Sequence, residues 1–179
     1  MEFEEVVDKR RSVRLFDERD VGEELLLKIV EAASKAPSPG NLQPWHFIVV
    51  RNREMIDKIA DSTYSGFSEE NPPQTWIKTA PALIIICFMK RSVIARYGEK
   101  GYVQGLLSIG SAIENLLLAA VNYGLGACWV GGFRKSELLE ILKLTSNFEP
   151  MAIIPVGYSK KTPNPPPKLP VKEILTMVD

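Results

Sequence analysis

Residues 82–88 read Ala-Leu-Ile-Ile-Ile-Cys-Phe, seven apolar residues in succession with β-branched side chains at their centre. An unbroken apolar run of this length predicts a strand that is buried on both faces, because no polar residue alternates along it. The longest helical pattern, residues 101–124, is apolar nearly all round, which is typical of a core helix. A doubly buried strand beside a core helix indicates a layered α+β domain.

The remaining segments predict further helices and strands in one domain, residues 1–179, without strict βαβ alternation. Asp20 and Glu23 form an Asp-x-x-Glu start signal for a helix that Pro37 ends. Other helices are expected over 2–10, 53–61 and 136–144, strands over 46–50 and 151–158, and a short strand or turn over 128–133. Residues 62–78 are predicted to be irregular, and the tail, 160–170, to be extended before a short amphipathic piece, 171–177.

Composition limits the classes of function. The 179 residues include 22 basic and 22 acidic side chains, so the formal net charge is zero, whereas a dedicated nucleic-acid binder usually has a basic excess. The acidic start differs from a signal peptide, and polar residues interrupt the most apolar segment, 103–121, so no membrane association is expected. Cys87 and Cys128 form no CxxC pair, and Cys87 is interpreted as a small buried hydrophobe. We expect a soluble, cytoplasmic protein.

A basic cluster near the start, Lys9-Arg10-Arg11-Ser12-Val13-Arg14, is the strongest candidate for a binding site. Arginine presents a planar fork of donors that matches phosphate oxygens two at a time. Arg10 and Arg14 would reach one phosphate from opposite sides, and Ser12 would add a hydroxyl and a backbone N–H. A solvated basic helix end would also explain an isolated cluster. The hydroxyl directly after the arginine pair favours phosphate.

Two other segments suit the rim of a flat polar ring. Residues 37–45 read Pro-Ser-Pro-Gly-Asn-Leu-Gln-Pro-Trp, and turn chemistry explains the prolines and glycine better than it explains the glutamine and tryptophan. Asn41 and Gln43 carry amide donors and acceptors that can match a heteroaromatic edge. Residues 129–133 read Trp-Val-Gly-Gly-Phe, a pattern typical either of a β-bulge or of close backbone approach to a ligand. With the basic cluster, these segments predict a phosphorylated ring cofactor.

Other catalytic patterns are incomplete. His46 is the only histidine and has no acidic or thiol cluster beside it, so a metal site is not expected. A serine hydrolase would need a Gly-x-Ser-x-Gly elbow, which the sequence lacks, and its glycine patterns match neither a P-loop nor a Rossmann fingerprint. Glu114 lies inside the apolar helix, where a charge is costly. It would belong to a buried network, face a dimer partner or lie near the cofactor, and we favour the network.

The order of these motifs resembles the nitroreductase family of FMN-dependent enzymes. The similar stretches are residues 10–14, 36–38, 43–47, 114–120, 124–129 and 155–158. The resemblance implies a three-layer α/β/α sandwich around a central mixed, largely antiparallel sheet. It also implies an intertwined homodimer with FMN at the interface.

The resemblance implies roles for individual residues. Arg10, Arg11, Ser12 and Arg14 would hold the phosphate, the ribityl chain and the pyrimidine edge, while Ser38, Pro39, Asn41 and Gln43 would approach from the other subunit. Trp129, Val130, Gly131 and Gly132 would line the ring, with the Gly131 amide near N5. Lys168 stands where the family often has a tail arginine, and residues 64–75 lack the asparagine pattern that often meets the pyrimidine ring.

The expected reaction is hydride transfer from NADH or NADPH to FMN and then to a small acceptor, by a ping-pong mechanism. The acceptor would be a nitroaromatic, a quinone or an activated alkene, and no side-chain acid or base is evident. One alternative of the same fold is a flavin-consuming or dehalogenating enzyme. Another is a flavin-binding module without turnover.

Overall fold

The computed structural model describes residues 1–178, and the domain prediction over 1–179 therefore includes one residue, Asp179, that lies outside the described residues. The helices are α1 Phe3–Lys9, α2 Glu23–Ser34, α3 Arg53–Asp61, α4 Lys90–Tyr97, α5 Lys100–Asn122, α6 Lys135–Ile141 and α7 Val171–Ile174. The strands are β1 Trp45–Val50, β2 Ala82–Phe88, β3 Gly126–Ala127 and β4 Glu149–Gly157. Two 3-10 turns cover Pro39–Asn41 and Thr75–Thr79.

The strands form one sheet in the order β1-β2-β4-β3, with antiparallel pairing between all neighbours. Its parallel component is an isolated bridge between Ser12 and Ala127. In β2 every residue is buried, and Ile85 lies between Ile48 of β1 and Ile153 of β4. The prediction of a doubly buried strand over residues 82–88 is confirmed.

Helices cover both faces of the sheet. On one face, α2 and α5 pack against the Ile84, Ile86 and Ile154 side chains. On the other face, α3 and α6 pack against Leu83, Ile85 and Ile153. Period-two alternation along β2 sends successive isoleucines to opposite cores. The predicted three-layer α/β/α arrangement is confirmed.

The long helix α5 has two different sides. Ile109, Ile113 and Leu116 are buried in the core, whereas Val103 and Leu107 are exposed. Its most apolar stretch of 18 residues has a mean hydropathy of 1.4, so by length and composition the helix would suffice to cross a membrane, but 44% of that stretch is buried inside the fold. The predicted core helix does pack in the core, but it is buried along one stripe and not all round.

The structure corrects several local predictions. Helix α2 begins after Gly22 and not at Asp20, whose carboxylate pairs with Arg51 instead of capping the helix. Helix α4 was not predicted from the sequence, and the Thr75–Thr79 turn overlaps the end of the stretch predicted to be irregular, 62–78. Residues 128–133 form isolated bridges and not a regular strand.

The C-terminal tail forms no helix or strand over residues 160–170 and bends at 160–161, and all of residues 160–178 are exposed. The amphipathic piece predicted over 171–177 is helical only over Val171–Ile174, with no buried residue. Both cysteines are free and buried, as the sequence analysis expected of Cys87.

Candidate functional site

The basic cluster extends from the end of α1 along the edge of the sheet. Arg10 ends the helix with an extended backbone, φ −60° and ψ 126°. From there Ser12 bridges to Ala127, and the Val13 N–H donates to the Ala127 carbonyl at 3.0 Å. Val13 is buried against Gly126, where a Cβ would lie 2.7 Å from a Val13 methyl. The end of α1 and the buried Val13 side chain thus determine the course of the backbone through residues 10–14.

Beside this cluster lies a cavity of about 800 Å³. Its lining includes the cations Arg10, Arg11, Arg14 and Lys168, the Ser12 hydroxyl, and the carboxylates Asp8 and Glu114. Lys168 comes from the exposed tail, more than 150 residues along the chain from the arginines. Five of the predicted site residues, Arg10, Arg11, Ser12, Arg14 and Lys168, therefore meet in one place. Guanidinium, ammonium and hydroxyl groups together form a donor set suited to phosphate oxygens.

The arginines of the cavity differ in their protein contacts. Arg11 donates through Nη1 to the Asp8 carbonyl at 2.6 Å and to its neighbour's carbonyl at 2.7 Å, so it neutralises the C-terminal end of α1. Arg14 lies over the Trp76 ring, with 5.9 Å between its Cζ and the ring centroid. Arg10 places Nε 3.3 Å from Oε1 of Glu114. Within residues 1–178, it is the only one of the four cavity cations with a carboxylate partner.

Glu114 occupies a different place from the one the sequence suggested. It was interpreted as part of a buried network, but its side chain is 49% exposed and lines the cationic cavity. The sequence did contain a signal for this exposure, because the helical spacing of Val103, Leu107 and Glu114 places the carboxylate on the same exposed stripe of α5.

Residues 38–43 form a tight turn that is held by its own hydrogen bonds. The Gln43 N–H donates to Ser38 Oγ at 2.9 Å, and Gln43 Nε2 donates to the Asn41 carbonyl at 3.4 Å. Asn41 and Gln43 have φ values of 55° and 48°, in the left-handed region that non-glycine residues seldom adopt. Such strain is retained where surrounding contacts fix the loop, and it is often found at ligand sites.

The turn packs against α4 and lies away from the cationic cavity. Gly40 has a φ of 52°, which side chains rarely adopt, and a Cβ there would also displace the Tyr97 hydroxyl, so a larger residue would be strained. Pro39 and Gly40 line a second cavity of about 410 Å³ with Lys100 and Gln104. Within one chain, Ser38, Pro39, Asn41 and Gln43 are thus not brought together with Arg10 and its neighbours.

Residues 129–132 follow the strand that bridges to Ser12, but they do not line the cationic cavity. Val130 is buried and exchanges two 3.0 Å backbone hydrogen bonds with Ile153, whereas Trp129 is half-exposed. A Cβ at Gly131 would meet nothing within 4 Å, while at Gly132 it would lie 2.5 Å from the Tyr64 carbonyl. Gly132 is therefore required by packing, and Gly131 leaves its backbone open to a ligand.

The irregular stretch before β2 supports residues 129–132 through hydrogen bonds. The Tyr64 N–H donates to the Gly132 carbonyl at 2.9 Å, and Gln74 Nε2 donates to the Tyr64 carbonyl at 2.8 Å. Thr63 bridges to Phe133. The supporting role of Tyr64 and Gln74 could not be predicted from the sequence, because a pairing between segments this distant has no local signal.

Cys128 lies directly behind the basic cluster. Burial raises the pKa of its thiol, and the nearby Arg14 and Ser12 act in the opposite direction. The net direction is upward, so the thiol is protonated and inert at neutral pH. Among the described residues, no group of three or more histidine, cysteine, aspartate or glutamate side chains has the arrangement of a metal site.

Known proteins with similar sequences and structures share this fold. A sequence model of the Nitroreductase family matches residues 7–158. The "Putative NADH dehydrogenase/NAD(P)H nitroreductase" of Methanothermobacter thermautotrophicus is 37% identical over 169 residues, which are 91% of this chain and 80% of that protein. Iodotyrosine deiodinase 1 of Sus scrofa is 28% identical over 198 residues, covering 99% of this chain and 68% of that protein.

Solved structures agree with the sequence comparisons. A nitroreductase family protein from Streptococcus pneumoniae has a TM-score of 0.86 at 27% identity, over 99% of this chain and 100% of that one. An FMN-dependent nitroreductase from Clostridium difficile has a TM-score of 0.79 at 26% identity, over 96% of each chain. Since the family match spans most of the sequence and includes the basic cluster, the chain belongs to the nitroreductase family.

Proposed function

We propose that this protein is an oxidoreductase that moves a hydride from NADH or NADPH through FMN to a small acceptor, which is a nitroaromatic, a quinone or an activated alkene. The observation that carries the proposal is the cavity beside Arg10, Ser12, Arg14 and Lys168. The names of relatives support the cofactor and the electron donor: an FMN-dependent nitroreductase has this fold, and the archaeal relative is named for NAD(P)H. Residues 1–179 would act as one FMN-binding domain.

The residues of the cavity fit a flavin phosphate. Arg10 and Arg14 would supply guanidinium forks, Lys168 a point charge, and Ser12 a hydroxyl. Arg11 lines the same cavity, but its Nη1 already donates to two carbonyl oxygens. We therefore assign Arg11 to the ribityl and pyrimidine side of the site, where a partly occupied guanidinium still has free donors.

Segment 129–132 would line the flavin ring. Gly131, whose missing Cβ leaves open space, would present its backbone N–H towards N5 of the ring. Gly132, Val130 and the supporting Tyr64 would hold that backbone in place through the contacts already described. Bound FMN would take hydride from the nicotinamide and give it to the acceptor. The site offers no side-chain acid or base for this exchange, and its two substrates would use the site in turn.

The site is completed by a second copy of the chain. Residues 38–43 lie away from the cavity in one chain, so Ser38, Pro39, Asn41 and Gln43 would reach the flavin from the partner subunit. The exposed apolar stripe of α5 and the exposed apolar residues of the tail are of the kind that an association surface would cover. Val103 and Leu107 on the helix, and Leu169 and Ile174 in the tail, are each more than half exposed. We infer an intertwined homodimer in the cytoplasm.

The test is the visible spectrum of the purified protein after addition of FMN and desalting, with riboflavin as the matched ligand. We expect the protein to retain FMN and to lose riboflavin, because only FMN carries the phosphate. Reduction of the retained flavin by NADH or NADPH, and parallel lines in double-reciprocal plots with a quinone acceptor, would support turnover by alternating substrates. Loss of both flavins would contradict the proposal.

A second candidate function is reductive removal of halide from a halogenated phenol. The similarity to iodotyrosine deiodinase 1 over 99% of this chain favours it. Assays with a halogenated phenol and with a nitroaromatic would separate the two candidates, because halide release and amine or hydroxylamine formation are distinct products. Measuring whether turnover regenerates or destroys FMN would test the flavin-consuming alternative in the same experiment.

A further inference from the structure

Glu114 is one of two carboxylates, with Asp8, that line a cavity with four cations, and among the described residues it is the one that pairs with a cation of the cavity. Resting on the proposed function, we infer that Glu114 competes with the flavin phosphate for Arg10 and thereby weakens cofactor retention. The carboxylate holds Arg10 while the site is free of phosphate and releases it when phosphate arrives. As a consequence, FMN would dissociate from the site more readily than the number of cations in the cavity would suggest.

The geometry of the pair makes exchange easy. The closest atoms are Nε of Arg10 and Oε1 of Glu114, at 3.3 Å. The side chains are 28% and 49% exposed, so water can solvate both groups as the pair opens. An ion pair this accessible to solvent holds its partners weakly. Within the described chain, Glu114 has no other ion-pair or hydrogen-bond partner that would keep it in place.

The other cations explain why Arg10 is the residue under competition. Arg14 and Lys168 have no carboxylate partner among residues 1–178, and the contacts of Arg11 are to backbone carbonyls. A phosphate can therefore approach Arg14 and Lys168 without displacing an acid. At Arg10 it must displace Glu114 or share the guanidinium with it. Glu114 thus reduces the effective positive charge of the cavity at Arg10, the cation with which it is paired.

The experiment measures the dissociation constants of FMN, riboflavin and inorganic phosphate for the wild type and for Glu114→Gln. Glutamine keeps the size of the side chain and removes its charge. We expect FMN and phosphate to bind about fivefold more tightly to the variant, because an exposed ion pair no longer competes for Arg10. Riboflavin, which has no phosphate, should change by less than about twofold.

Glu54→Gln is the matched control. Glu54 lies on α3, which packs on the face of the sheet opposite to α5, and it forms a comparable exposed pair with Lys58. Glu54→Gln removes the same charge from the chain and should leave all three constants unchanged. A gain of similar size in both variants would show a general charge effect and would overturn the inference.

A double-mutant cycle separates competition from simple repulsion. In the Arg10→Ala background there is no guanidinium to compete for, so Glu114→Gln should improve FMN binding by less than about twofold. An equal gain with and without Arg10 would overturn the inference. If the wild type retained no FMN, the proposed function would fail, and the phosphate constants would still test Glu114 alone. Unchanged phosphate binding in Glu114→Gln would then overturn the inference independently.

Discussion

Replacing Arg10 by alanine tests the phosphate assignment most directly. A hydrogen bond to a charged group contributes about 1.5–3 kcal/mol. Arg10 must give up its exposed pair with Glu114, which is worth about 0.2–1 kcal/mol. The difference leaves a loss of about 2 kcal/mol of FMN binding in Arg10→Ala, or roughly a 30-fold higher dissociation constant.

The assay is a fluorescence titration of FMN and of riboflavin with wild-type and variant protein. Riboflavin binding should change little, because the lost contact is to the phosphate. Arg51→Ala is the matched control, since Arg51 is an exposed arginine that pairs with Asp20 and does not line the cavity. It should bind both flavins as the wild type does.

The fold should survive the change at Arg10, because the side chain is part of an accessible pair and not of either core. Circular dichroism and a urea titration would check this. An equal loss of FMN and riboflavin binding would show that Arg10 supports the shape of the site and does not bind phosphate. Unchanged FMN affinity in a folded variant would remove the phosphate assignment.

Three further predictions concern the fold that positions the site. Ile85→Ala, in the strand buried on both faces, should lower the free energy of unfolding in urea by about 2–5 kcal/mol, and a loss below about 1 kcal/mol would contradict the packing described. Burial raises the pKa of Glu149, but Lys135 and Lys90 together lower it by more, so the pKa in the folded protein lies below the ordinary value of 4.5. The charged carboxylate therefore stabilises the fold above pH 4.5, and this stabilisation is lost as the pH falls through the pKa of the folded protein. Glu149→Gln should therefore be less stable than the wild type at pH 7, by about 1 kcal/mol, with the difference disappearing in acid; a difference that does not depend on pH would contradict this. Burial raises the pKa of Cys87 to about 12, and both thiols are buried, so a thiol reagent at pH 8 should label none in the native protein and two after unfolding.

Local patterns predicted those elements whose signals are complete within one segment. The apolar run of residues 82–88 became β2 with the predicted bounds, and residues 53–61 became α3. In α3 the start is fixed by Asn52, whose Oδ1 accepts from the Met55 N–H at 2.9 Å. Helix α4 was not predicted because its hydrophobic face is small, with Val93 its one buried residue. The start of α2 was misplaced because Asp20 has a distant partner in Arg51, which no local rule can show.

The candidate site likewise contains residues that a local sequence pattern could predict and residues that it could not. Arg10, Ser12 and Arg14 could be grouped from the sequence because they lie within one short segment, residues 10–14, and carry donors suited to phosphate. Lys168 was assigned by resemblance alone, and the structure places it in the same cavity. Glu114 was misinterpreted because an apolar helix was treated as buried on all sides. The exposure of Val103 and Leu107 shows that one side is open, and Glu114 lies along it.

Helix α5 contributes to the core, to the cationic cavity and to the surface that a second copy would cover. Its buried stripe packs against β2 and forms one of the two cores, so its position is fixed by the fold. Its exposed stripe carries the apolar residues that a second copy would cover, and Glu114 at the rim of the cationic cavity. A ligand that displaces Glu114 from Arg10 therefore acts on the same helical surface that would bind the partner. Because linkage is reciprocal, any preference of the dimer for one position of Glu114 must appear as an equal effect of phosphate on dimer association.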